Sequence, residues 1–103
     1  LEILLDAAEG YVQKLLRVLK IVEIVEKTEN RIRQLQVDID VDIQSRNYEG
    51  ISDYRKEEES LKKEMNFLEK FGANGRELRK LRSMLKGAQM DIEKIIEKKE
   101  RVG

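Results

Sequence analysis

Residues 71–95 read FGANGRELRKLRSMLKGAQMDIEKI, and this stretch decides the fold. It opens on Phe71-Gly72-Ala73-Asn74-Gly75, the densest break in the chain. Glycine tolerates the left-handed backbone that ends a helix, and asparagine caps the next one. A helix–turn–helix is therefore predicted there. After the break, Leu78, Leu81, Leu85, Ala88, Ile92 and Ile95 alternate steps of three and four. That spacing is an a/d seam for a partner helix. Val102 continues the register after Lys99.

Working back toward the amino terminus, Ile51, Tyr54, Leu61, Met65 and Leu68 fall on a similar seam, which Glu58 interrupts. Phe67 and Phe71 add a second contact near the turn. The two seams can zip together across Gly72–Gly75, and Glu58 is placed to pair with Arg76, Arg79 or Arg82. A second break, Ser45-Arg46-Asn47-Tyr48-Glu49-Gly50, reads as a tight turn. Asn47 is the expected N-cap there, with Glu49 in the first turn, where the helix dipole favours an anion. Gly10 marks an expected kink or the end of a short leading helix or turn over 1–9.

The predicted architecture is all-α, a single domain built as an antiparallel helical hairpin or three-helix bundle with coiled-coil-like packing. Helices are expected over about 11–45, 48–71 and 76–101, spanning about 50, 36 and 39 Å. Short connections make neighbouring helices antiparallel. Composition agrees. The 103 residues contain no proline, where about 5% is usual. Proline is missing where helices run nearly end to end.

The first helix has too much apolar surface for a simple amphipathic element. Eight of the eleven residues from Leu15 to Val25 are apolar, and a helix apolar nearly all round must be covered on several sides. Residues 37–43, Val-Asp-Ile-Asp-Val-Asp-Ile, alternate as a strand would. No second segment offers a pairing strand, so helix is the reading adopted. As helix, Val37 and Val41 face nearly opposite to Ile39 and Ile43, which again favours packing on two sides. The expected partner or oligomer interface is Val18, Ile21, Val25, Ile32, Leu35 and Ile39 at seam spacing, with Val22, Val37 and Val41 on the other side. The alternative is that all of these form ordinary core. The chain is expected to be oligomeric or part of a larger assembly.

Chemistry is sparsely provided for. Without cysteine or histidine there is no disulfide, no ordinary zinc site and no Ser-His-Asp or Cys-His base. Asp38, Asp40, Asp42 and Glu49 superficially match calcium-loop spacing, but Ile43 stands where the loop needs glycine. Glu57, Glu58 and Glu59 fan around a helix, with Lys62 and Lys63 at ion-pair spacing. Gly72-Ala-Asn-Gly75 lacks the Lys-Ser/Thr of a phosphate loop. No catalytic residue, metal or cofactor is assigned, and no enzyme is expected.

Twenty-one basic residues balance twenty-one acidic ones, so no whole-chain field attracts DNA or an anionic membrane. The cluster Arg76, Arg79, Lys80, Arg82 and Lys86 could bind phosphate or an acidic partner, though it holds no aromatic residue for base stacking. Nucleic-acid binding through this cluster is thus an alternative function. A structural coiled-coil spacer of a larger protein is another, since a chain that begins at Leu1 reads as a piece of a longer one. Apolar runs are far too short for a membrane span, and no signal-peptide pattern is visible. With no cysteine, an intracellular, cytoplasmic location is expected.

The segment Ile43-Gln-Ser-Arg-Asn-Tyr-Glu-Gly-Ile-Ser-Asp-Tyr-Arg-Lys-Glu-Glu-Glu-Ser-Leu61 resembles a UVR-type helical hairpin. Tyr48 and Glu49 match its aromatic–Glu pair, Arg55 its arginine and Leu61 its closing leucine. Ile51 and Ser52 stand where alanines are usual, and Lys56 replaces an Asp. The family occurs in subunits of excision-repair nucleases and middle domains of Clp-type unfoldases, and the resemblance implies a hairpin that docks on other proteins. The same segment is similar to the amino-terminal helices of vesicle-tethering subunits such as those of the exocyst. Both resemblances imply a protein–protein interaction module that presents helices to other helices.

Overall fold

The computed structural model describes residues 2–102, with side chains described from residue 8 onward. Three helices follow one another: α1 (Glu2–Ser45), α2 (Ile51–Phe71) and α3 (Gly75–Val102). They pack as an elongated all-α bundle with extents of 73 × 19 × 17 Å. Residues 37–43 are helical. Their alternation is a surface pattern, with Ile39 fully buried and Val37 and Val41 exposed.

The register between helices is written in their polar contacts. Lys80 meets Glu29 across α3 and α1 at 3.3 Å. Further down, a methyl group added to Gly87 would come within 3.0 Å of Gln36 Nε2. The constant offset shows that α1 and α3 run parallel. α2 runs antiparallel to both. Arg31 pairs with Glu57 at 2.8 Å on the α1 side, and Arg82 with Glu69 at 2.6 Å on the α3 side. Exposed pairs of this kind contribute little stability each, but they fix alignment.

All six seam residues of α3 are buried, together with Leu61, Met65 and Leu68 of α2 and Val25, Ile32, Leu35 and Ile39 of α1. Burying each Leu or Ile is worth about 1.5–3 kcal/mol. Ile51 and Tyr54 are half-buried at the lower margin. Val102 keeps the register but lies past its cover and is exposed. Phe67 and Phe71 stack on each other with centroids 5.3 Å apart.

Several boundaries differ from expectation. α1 passes through Gly10 without a break, so a helix beginning at 11 is replaced by one beginning at Glu2. Nothing lies within 4 Å of a Cβ placed at Gly10, and a single glycine costs a helix only about 1 kcal/mol. The expected turn over 1–9 falls within that helix from Glu2 onward, while Leu1 lies outside the described residues. α2 begins at Ile51, not 48. Asn47 is therefore not its N-cap; its Oδ1 instead accepts the Glu49 N–H within the turn, at 3.3 Å. Gly50 holds the N-cap position, and Asp53 rather than Glu49 is the first-turn acid. Arg46, at φ 58°, turns the chain out of α1. At the other connection, Gly72 takes φ 100°, and Asn74 Oδ1 accepts the Arg76 N–H at 2.8 Å, as a cap does.

Glu58 is buried, but its partners are not the arginines at the start of α3. Those sit near the α2–α3 turn, whereas Glu58 lies at mid-bundle. There it accepts from Gln89 Nε2 at 3.1 Å and faces Lys62 at 3.3 Å and Arg55 at 3.7 Å.

Candidate interaction surface on the first helix

The register of Lys80 on Glu29 sets the first residue of α3, Gly75, beside Ile24, so about 33 Å of α1, from Glu2 onward, lies beyond α3. The end of the cover is marked by Arg17. Its Nε and Nη2 donate to the carbonyl oxygen of Phe71, the last residue of α2, at 3.2 and 2.8 Å. Its guanidinium also lies 4.7 Å from the centre of the Phe71 ring. A cation there meets the negative end of the α2 dipole.

Two lines of residues leave Val25 toward the amino terminus. One continues the core-facing stripe. It passes through half-buried Ile21 and then meets Arg17 and Lys14, where it becomes polar. The other steps through Val22, Val18, Leu15 and Tyr11, again at spacings of three and four. Tyr11, Val12, Leu15, Leu16, Val18, Leu19 and Val22 are all exposed, Tyr11 at 70% and Leu19 at 57%. At 100° per residue, the mean direction of these seven is turned roughly 130° from that of the α1 core residues. Val12, Leu16 and Leu19 point nearly opposite the core, so α2 and α3 of any length would leave them open.

Where the stripe meets the bundle, a groove forms against the α2–α3 turn. Its floor is Val18, Ile21, Val22 and Val25, and Glu26, Glu29 and Glu77 stand at its rim. Beside the stripe, Lys27 and Lys20 hold the Glu23 carboxyl below its ordinary value, the Lys27 hydrogen bond being the larger cause.

The expected interface residues thus divide. Val18, Val22, Val37 and Val41 are exposed, and Ile21 is half-buried. Val25, Ile32, Leu35 and Ile39 are corrected to core: they are buried within the chain and unavailable to a partner. Seam spacing identifies a packed face but not which helix packs on it. Sequence reasoning missed Tyr11, Val12, Leu15, Leu16 and Leu19 as surface candidates. Their signal was present, since Leu15, Leu16 and Leu19 belong to the apolar run.

The basic residues at the start of α3 are exposed. Lys80 and Arg82 are engaged with Glu29 and Glu69, and Arg79 Nε donates to the Gly75 carbonyl at 3.4 Å. Of the three aspartates of calcium-like spacing, Asp38 and Asp42 share one face of α1 and Asp40 lies on another. Asp38 accepts from Gln34 at 2.8 Å, Asp42 accepts from Tyr54, and Asp40 faces Asp91. No described helix is long and apolar enough to cross a membrane. No known protein family, curated protein or solved structure matches the chain.

Proposed function

We propose that this protein is a non-enzymatic assembly module whose three-helix bundle holds up the amino-terminal part of α1 for another helix to pack against. The observation that carries this reading is the uncovered apolar stripe from Tyr11 to Val22, which straddles the level at which Arg17 meets the end of α2. Monomeric proteins rarely leave so much contiguous apolar surface open. An a/d-spaced stripe on a helix is the kind of surface that another helix fills. The resemblance of residues 43–61 to docking hairpins points to the same class of role. Nucleic-acid binding has less support, because Lys80 and Arg82 already face carboxylates of the same chain.

The test is photo-crosslinking in the cell of origin. A benzophenone amino acid replaces Leu19 in one variant and exposed Lys63 of α2 in another. Discrete adducts, to a second copy or to another protein, are expected from position 19 and not from position 63. Absence of any adduct at position 19 overturns the reading.

A further inference from the structure

We infer that the occupant of the α1 stripe is the same stripe of a second copy, laid antiparallel; this rests on the docking role proposed above. The first support is size. Seven half-open or more exposed side chains present on the order of 600 Å² of mostly apolar surface, at the upper end for a monomer. With a polar margin, that approaches the roughly 800 Å² each partner contributes to a stable interface.

The second support is self-complementarity. Tyr11, Leu15, Val18 and Val22 form alternating layers of a coiled-coil seam, larger residues toward the amino terminus and valines toward the bundle. Antiparallel pairing about a point between Leu16 and Arg17 sets Leu15 on Val18 of the second copy and Tyr11 on Val22. Each layer then joins a large side chain to a small one, which keeps the helix separation even. On one flank, Val12 falls beside Leu19 of the second copy. A parallel arrangement would stack Tyr11 on Tyr11 and Val22 on Val22, in layers of unequal thickness.

The third support is room. In this register Tyr11–Leu16 of the second copy lie beside Arg17–Val22, where Val18 and Val22 line an open groove against the α2–α3 turn that can seat them. The two bundles then lie at opposite ends of a shared stalk, with their helix dipoles opposed.

The experiment uses the full chain. Sedimentation equilibrium is expected to give twice the 12.1 kDa chain mass. Val18→Glu is expected to return the chain to monomer with its helical circular dichroism retained, because Val18 is exposed in the single chain. The absence of native cysteine makes disulfides a clean readout. On oxidation, an equimolar mixture of Leu15→Cys and Val18→Cys chains is expected to give mainly the mixed dimer. Predominant Leu15→Cys homodimer overturns the antiparallel arrangement. A monomer at every concentration overturns self-pairing. If position 19 still crosslinks to another protein in that case, the docking role survives; if it crosslinks to nothing, both fall.

Discussion

Arg17 Nη2 donates to the Phe71 carbonyl oxygen at 2.8 Å, and its guanidinium lies 4.7 Å from the centre of the same residue's ring. One side chain thus satisfies the end of α2 and marks the level at which α1 leaves its cover. Arg17→Ala is expected to cost about 1 kcal/mol, the scale of one hydrogen bond plus an exposed cation–π contact. Arg17→Lys should recover less than half, because an ammonium cannot both fork onto the carbonyl and lie flat on the ring. Urea midpoints at matched chain concentration check this.

Ile39 and Val41 are two residues apart on α1 and lie in opposite environments, one fully buried and one 56% exposed. Ile39→Ala is expected to cost about 2–5 kcal/mol through lost burial and a residual cavity. Val41→Ala should stay within about 0.5 kcal/mol. Equal losses in thermal or urea melts would mean that the outer face of α1 is covered in solution.

Glu58 and Gln89 form a polar contact across α2 and α3 inside an otherwise apolar seam. Glu58→Ala should cost about 1–3 kcal/mol, since it strands the Gln89 amide and the aliphatic packing around it. Replacing both residues by leucine is expected to be neutral or stabilising, because it removes the desolvation cost with the contact. A double-mutant cycle of unfolding free energies measures the coupling.

Two groups give stability a pH dependence. Burial, reinforced by the hydrogen bond to Asp42, pushes the Tyr54 phenol above its ordinary value of 10.0. The folded chain therefore favours the neutral phenol. This contribution is complete below pH 10 and is lost as pH rises through the higher folded value. Tyr54→Phe should flatten alkaline unfolding, and ultraviolet titration of the wild type should show one late-ionising tyrosine. Asp91 is raised first by burial and then by Asp40 across the helix interface, partly offset by Lys94. Its charge is carried at a cost at neutral pH. Asp91→Asn should raise the melting temperature there, with the difference vanishing below the ordinary carboxyl value of 3.8.

Much of the bundle is legible residue by residue. The Leu78–Ile95 spacing predicts the six residues that α3 buries, and Gly72 and Asn74 predict the turn before it. Glu58 is legible as a seam residue because it falls on the α2 line. Its partner is not, because axial register depends on where the two helices are joined. Asn47 looked like a cap, yet the side chain served the turn, and a left-handed Arg46 did the work of ending α1.

Composition and periodicity alone determined that the chain is helical, that it turns near residues 45–50 and 72–75, and that α1 carries more apolar surface than one face can bury. Only the tertiary structure decided how that surface is shared. Val18 and Val25 lie on two lines at once, one through Ile21 and one through Val22, and both have helical seam spacing. Periodicity is a property of a single helix and cannot choose between them. The choice is made by where α2 and α3 pack: they lie along the Ile21 side of α1, α2 ending beside Arg17, and leave the Val22 line open to water.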